Sequence, residues 1–147
     1  MFYVSPDGHD GNPGTETAPL KSFRRAAQLA KPGETYIFED GTYYEGGMTV
    51  MMNSGTADAP IIFKARNQGE AHIIYPEILC GNHKIYIYQK EYITIDGFEL
   101  TQVEMADDTY SNAKTDMIIR CALSNNITIR NNEIHHAWEE PIKMSRG

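Results

Sequence analysis

Residues 93–101 read Ile-Thr-Ile-Asp-Gly-Phe-Glu-Leu-Thr, and residues 127–135 read Ile-Thr-Ile-Arg-Asn-Asn-Glu-Ile-His. The two stretches match position for position at an offset of 34. Ile-Thr-Ile recurs, Gly97 is replaced by Asn131, and a Glu followed by an aliphatic residue comes next. Short apolar segments accompany each copy: Ile85–Tyr88 before the first, Met117–Arg120 before the second and Pro141–Met144 after it. Met117 and Pro141 lie 24 residues apart, as do Ile61 and Ile85, whereas Ile85 and Met117 lie 32 apart. This spacing predicts coils of three short strands, with an insertion of about eight residues in one of them. The architecture it predicts is a right-handed parallel β-helix. Each strand alternates at period two, with Ile inward and a polar residue outward, and each coil needs its neighbours to cover its apolar side. Gly97 and Asn131 are expected at one and the same corner, in the left-handed region that Gly and, less readily, Asn adopt. An antiparallel sandwich of short strands is the alternative, but it gives no account of the repeat at offset 34.

The 147 residues suit a single domain, here 1–147, with 1–34 as an N-terminal cap and 35–147 as coils. A net charge of −7 argues against a nucleic-acid partner, whose footprint would be basic. No apolar run approaches the length of a membrane span. Met1 runs directly into Phe-Tyr-Val-Ser with no basic-then-apolar leader, so the chain is either cytoplasmic or cut after a leader. Cys121 falls at an inward strand position, where a buried free thiol is the ordinary outcome, and a Cys80–Cys121 disulfide is the other possibility.

Phe2–Val4 reads as a first strand and Ser5–Thr17 as a loop dense in turn residues. Asp7, Asp10 and Asn12 in that loop raise calcium, but no closing Glu and no preceding helix accompany them, so Asx-type loop structure is expected. Ser22 is placed to cap a helix over about 22–30, with Phe23, Ala26, Ala27 and Ala30 on one face and Lys31-Pro32-Gly33 as its stop. Such a helix ahead of stacked coils covers the otherwise open first edge. Tyr36–Phe38, Thr42–Tyr44, Met48–Met51, Ile61–Ala65 and His72–Tyr75 follow as strands.

Tyr3-Val-Ser-Pro-Asp-Gly, Asn12-Pro-Gly-Thr, Ala18-Pro-Leu-Lys-Ser, Ala30-Lys-Pro-Gly-Glu-Thr and Asp40-Gly-Thr-Tyr resemble the opening of secreted β-helix carbohydrate enzymes. The nearest resemblance is to family nine polysaccharide lyases of the pectate-lyase type. The stretch from Gly55 to Ala65 is similar in style to family six as well. The resemblance spans essentially the whole chain and implies an N-terminal portion of a secreted, periplasmic or cell-surface protein. Glycosidases and epimerases share the same opening, so its bearing on substrate is weaker.

By this resemblance the substrate lies along the first sheet, here expected to comprise Ile61–Lys64, Ile85–Tyr88, Met117–Arg120 and Pro141–Met144. Alternation places Tyr86, Tyr88, Arg120, Lys143 and Ser145 on its outer face, and Arg120 and Lys143 in adjacent coils. Tyrosine faces pack on sugar rings and Arg grips carboxylates, so the set suits an acidic polysaccharide. A plain solvated sheet face is the competing reading. The resemblance further implies proton abstraction alpha to a uronate carboxylate. Lys143 would be the base, Arg120 the partner of the substrate carboxylate, and Glu139 and Glu140 possible ligands of Ca2+. The Glu-to-Lys spacing is shorter than in family six, and the family nine Asp cluster would fall beyond Gly147. The insertion 103–115, carrying Glu104, Asp107, Asp108 and Tyr110, is either a binding rim or a decoration. His135, His136 and Trp138 read as packing or surface rather than as a zinc site.

The chain stops directly after a strand with no polar final coil, which predicts a piece of a longer enzyme and self-association through an open C-terminal coil. The reading is therefore a polysaccharide lyase acting by β-elimination. A glycoside hydrolase using Asp116 and Glu140 and a non-catalytic glycan-binding stack are the alternatives.

Overall fold

The computed structural model describes residues 1–45, 47–76, 83–103, 117–135 and 142–145. Thirteen strands and one helix make up these residues, and every strand pairing among them is parallel. The chain winds through three sheets in turn. The first sheet stacks β4 (Thr49–Val50), β7 (His83–Tyr88), β10 (Met117–Ala122) and β13 (Ile142–Ser145). The second stacks β1 (Phe2–Val4), β2 (Thr35–Phe38), β5 (Ile61–Ala65), β8 (Glu91–Asp96) and β11 (Asn125–Arg130). The third stacks β3 (Gly41–Tyr44), β6 (Ala71–Pro76), β9 (Phe98–Val103) and β12 (Glu133–His135). This is the expected parallel β-helix.

The repeat at offset 34 is one full coil. Ile85 pairs with Ile119 in the first sheet, Ile95 with Ile129 in the second and Leu100 with Ile134 in the third. Two details of the expected register are corrected. Ile61–Lys64 does not belong to the first sheet, because Ile61 pairs with Ile93 in the second, and β4 takes the place beside β7. Met117 pairs with His83 rather than Ile85. Both errors come from equating spacings of 24 and 32 with a coil. Corners differ in length from coil to coil, so the distance between apolar segments does not by itself report which sheet they share.

The core is the column of inward side chains. Phe63, Ile95, Ile85, Ile87, Ile73, Leu100 and Phe98 are all at most 1% exposed. Gly97 (φ 83°) and Asn131 (φ 57°) do share the corner between the second and third sheets. The Asn131 side chain donates to Asp96 at 2.9 Å, and Arg130 Nε meets the other Asp96 oxygen at 3.0 Å. Burial pulls the Asp96 carboxyl upward, but the hydrogen bonds from Asn131 and Arg130 outweigh it and hold it below the ordinary carboxylate range. Asn132 closes the rung beneath, accepting from the Phe98 N–H at 2.8 Å and donating to the Ile95 carbonyl at 3.0 Å.

The helix α1 (Phe23–Leu29) covers the first coils. Ser22 caps it, its hydroxyl accepting the Arg25 N–H at 3.1 Å, and Phe23, Ala26 and Ala27 are buried. The preceding loop is held by Asx side chains. Asp10 accepts from the Lys21 and Ser22 N–H groups and from the Ser22 hydroxyl, and Asn12 donates to the Pro19 carbonyl. Phe23 enters an aromatic cluster with Phe38, Phe63 and Phe98 at centroid distances of 4.9, 5.1 and 5.5 Å. Cys121 is a buried free thiol, raised to about 11 by burial. Cys80 lies outside the described residues.

Two outcomes are expected. Phe23→Ala loses the keystone of the aromatic cluster and lowers the unfolding free energy by about 3–5 kcal/mol in a urea titration. Glu45, 1% exposed, accepts the Phe23 N–H at 2.7 Å, and burial lifts its carboxyl from 4.5 to about 7. An acid whose folded pKa lies above its unfolded one favours folding only while protonated. Its contribution is complete below the unfolded value and is lost as pH rises through the folded one. Stability should therefore fall between pH 4.5 and 7 by on the order of 3 kcal/mol relative to Glu45→Gln, measured as the difference between the two pH–stability curves.

Candidate functional site

The first sheet carries the site residues named from the sequence. Its strands present Tyr86, Arg120 and Lys143 in direct register, Arg120 pairing with Tyr86 on one side and Lys143 on the other. At the roughly 4.8 Å strand spacing, this column extends about 10 Å along the stack. Two residues further along each strand, Tyr88, Ala122 and Ser145 form a second column. The rings of Tyr86 and Tyr88 lie nearly parallel, 5.8 Å between centroids and 9° between planes. Tyr88 is 42% exposed, and Tyr86, Arg120, Lys143 and Ser145 are half-buried. The described part of this face thus sets two cationic side chains next to a pair of parallel aromatic rings.

Arg120 is partly enclosed. Its Nε is enclosed, with no hydrogen-bond partner among the described residues. A buried donor without an acceptor costs about 1–3 kcal/mol. The enclosed part of the guanidinium is thus held at a cost, while the side chain as a whole remains half-exposed on the sheet face.

The corner leaving the first sheet is strained as well. Gln89 and Leu123, one coil apart, have φ of 52°, and Tyr92 and Asn126, also one coil apart, have φ of 54° and 55°. Positive φ at a bulky residue such as Tyr92 or Leu123 costs on the order of 1–3 kcal/mol and gathers at functional sites. Ser124 stitches this corner: its hydroxyl accepts the Lys90 N–H at 3.1 Å and reaches the Ala122 carbonyl at 3.0 Å. Leu123 to Asn126 and Ser145 together line a cavity of about 530 Å3. That places Ser145 at the rim where the second column meets the corner.

Glu139 and Glu140 lie outside the described residues, as do residues 104–115 of the insertion, Asp116, His136 and Trp138. Among the described residues, no group of three or more His, Cys, Asp or Glu side chains is arranged to hold a metal ion. No described helix is long and apolar enough to cross a membrane.

His135 is placed away from the first sheet, in β12 of the third. There His135 Nε2 meets Glu99 at 2.7 Å, and His72 Nε2 meets the Thr101 hydroxyl at 2.7 Å. These groups answer one another across three rungs, a side-chain ladder on a second face that the sequence did not single out. Lys84 was also missed. Alternation aims it outward beside Tyr86, yet it is 0% exposed. Lysines are almost never buried so fully unless paired. Periodicity reports which face a residue takes, but not whether another segment covers that face.

A sequence model described as the Pel9A-like, right handed beta helix region matches residues 2–146. The chain belongs to this Pel9A-like right-handed β-helix family. It is 43% identical over 80 residues to "Pectate lyase PEL9" of Emericella nidulans, covering 54% of this chain and 19% of that protein. Among solved structures it is similar to pectate lyase Pel9A, with a TM-score of 0.68 and 22% identity over 92% of this chain and 33% of that one. It is also similar to a GH136 lacto-N-biosidase from Eubacterium ramulus, with a TM-score of 0.73 and 20% identity over 95% of this chain and 27% of that one. The two structural likenesses bear on the fold. The chain thus spans between about a fifth and a third of the length of these Pel9A-like and β-helix relatives.

Proposed function

We propose that the parent protein is a polysaccharide lyase acting on a uronic-acid polymer, and that the outer face of the first sheet is its substrate surface. The register of Tyr86, Arg120 and Lys143 in one column carries the reading. Membership in the Pel9A-like family and the likeness to PEL9 support it. A polymeric substrate also supports a secreted, periplasmic or cell-surface location.

Elimination asks three things of such a surface. A base must take the proton from the carbon alpha to the uronate carboxylate. The electron pair then forms a carbon–carbon double bond as the bond to the glycosidic oxygen breaks, and that oxygen takes up a proton from water. The carboxylate must be held and its charge offset as the carbanion-like transition state develops. Arg120 is assigned to the carboxylate, since a guanidinium binds one in a bidentate way. Lys143, one rung away, is assigned as the base, a role that requires its neutral amine form at the working pH. Tyr86 and Tyr88 offer ring faces to the sugars, and Ser145 a hydroxyl at the rim. Ca2+ belongs to the proposal through Glu139 and Glu140; bound there, it would supply further charge neutralisation at the substrate carboxylate.

In the full-length protein, incubation with pectate, alginate or chondroitin sulphate should yield an unsaturated product followed by its ultraviolet absorbance. Lys143→Ala should lower kcat by about 10²–10⁴-fold. Arg120→Ala should lower kcat/KM by about 10–100-fold, with Arg120→Lys restoring only part of it. Absence of unsaturated product on every uronate polymer overturns the lyase reading, and chain cleavage without a double bond points to the hydrolase chemistry of a β-helix glycosidase instead. Chelation should remove activity and added calcium restore it; activity indifferent to chelator removes calcium from the proposal.

A further inference from the structure

A second cavity lies at the N-terminal cap, beside the corner that links the third sheet to the first. It measures about 470 Å3, within the roughly 300–1,000 Å3 range of small-ligand sites. Tyr44 stands at its wall, 74% exposed, the most solvent-open aromatic residue among the described residues. Lys21 and Arg24 line it too, both exposed, and neither forms an ion pair among the described residues.

The two carboxylates of the cavity are already engaged. Asp10 takes two backbone N–H groups and the Ser22 hydroxyl, all within 3.0 Å. Glu45 takes the Phe23 N–H at 2.7 Å and the Arg24 N–H at 3.4 Å, so the end of α1 has its acceptor from within the protein. The helix end therefore has nothing to offer a ligand. Arg24 also acts on the Glu45 carboxyl electrostatically, helping to hold it down, and the exposed groups of the lining are the Tyr44 ring and the Lys21 and Arg24 side chains.

We propose that this cavity binds a carboxylate-bearing sugar, with the ring packed on Tyr44 and the carboxylate held by Arg24 and Lys21. Its residues lie on β3 and the cap, whereas the proposed substrate column lies on β7, β10 and β13, so the two are separate surfaces of the same stack. The choice of a uronate rests on the acidic-polysaccharide reading given above; the cavity and its open groups do not. A ring face with cations at its edge matches a uronate in both its apolar and its charged part. A second site would tether a polymer at the cap while the first sheet engages another stretch, raising the local concentration of substrate.

The test is calorimetric titration of trigalacturonate into the full-length protein in a Lys143→Ala background, so that turnover does not obscure binding. Two binding events are expected. Tyr44→Ala and the paired Lys21→Ala, Arg24→Ala change should each weaken one event at least tenfold, and Arg120→Ala should leave that event unchanged. All substituted cap residues are exposed, and an unchanged melting temperature checks that the fold is kept. Identical titrations for the wild-type cap and both cap variants overturn the proposal. So does full displacement of the sugar by an equal concentration of citrate, which would mark a general anion site. If only Arg120→Ala weakens binding, the cap site falls and the first-sheet reading stands. If only the cap variants do, the reverse holds.

Discussion

Side chains stacked rung upon rung inside the coil are the interaction on which the rest of this structure depends. Phe63, Ile95 and Ile129 sit over one another in the second sheet, and Ile73, Leu100 and Ile134 do so in the third. Fully burying one such side chain is worth about 1.5–3 kcal/mol. That value is reached only where a neighbour lies both above and below. Ile93, Ile95 and Leu100 are 0% exposed, whereas Ile127, Ile129 and Ile134, the same positions one coil later, are only partly buried. Ile142 and Met144, which also point inward, are 37% and 61% exposed. Stability in this architecture belongs to the contact between coils rather than to any coil alone. The aromatic cluster around Phe23 performs the same covering role at the opposite end.

Stacking in register constrains the corners in turn. In the later described coils the strands lie flat on one another with corners that turn through left-handed backbone at matching places. At the corner between the second and third sheets this backbone is adopted cheaply, by Gly97 and by Asn131, whose side chain also binds Asp96. At the corner leaving the first sheet it is adopted expensively, by Gln89, Tyr92, Leu123 and Asn126. The expensive corner is the one that borders the proposed substrate face. Leu123 and Asn126 also line the cavity that reaches Ser145.

This asymmetry bears on how much could be read from the amino acids. The winding, the repeat at offset 34, the Gly97/Asn131 corner and the inward place of Cys121 were all legible, because period-two alternation and a repeat in register leave few other arrangements; that the 34 residues are a whole coil, rather than 24 plus an insertion, was not. The stacking of Arg120 on Lys143 was legible for the same reason, whereas Tyr86 as the partner of Arg120 was not, because the spacing of 32 set Tyr88 there. The sheet membership of Ile61–Lys64 was not, since its coil differs in length and spacing alone could not say so. The non-glycine corner was hidden because Gln, Leu and Tyr give no sign of left-handed backbone. Lys84, Glu45 and the His72–Glu99–His135 ladder depend on which segments lie across them, and neither alternation nor motif reports that. The sequence reading thus captured what is local and periodic and missed what arises from coverage.

Charge raises a further constraint on the proposed chemistry. The chain carries a net charge of −7, so an acidic polymer meets overall repulsion. At physiological ionic strength that repulsion is screened beyond about 8 Å, and what the polymer experiences at contact is set by the nearest groups. Arg120 and Lys143 occupy adjacent rungs of one sheet face, and Lys21 and Arg24 line one cavity at the cap. In both places the cations stand beside exposed tyrosine rings, Tyr88 in one and Tyr44 in the other. A coil stack is suited to this distribution. Its inward columns carry most of the packing, so the exposed outward positions can vary in charge with little effect on the core. An acidic protein can therefore keep strips of cationic side chains, as the proposed polyanion surface requires, without the strips disrupting the packing beneath them.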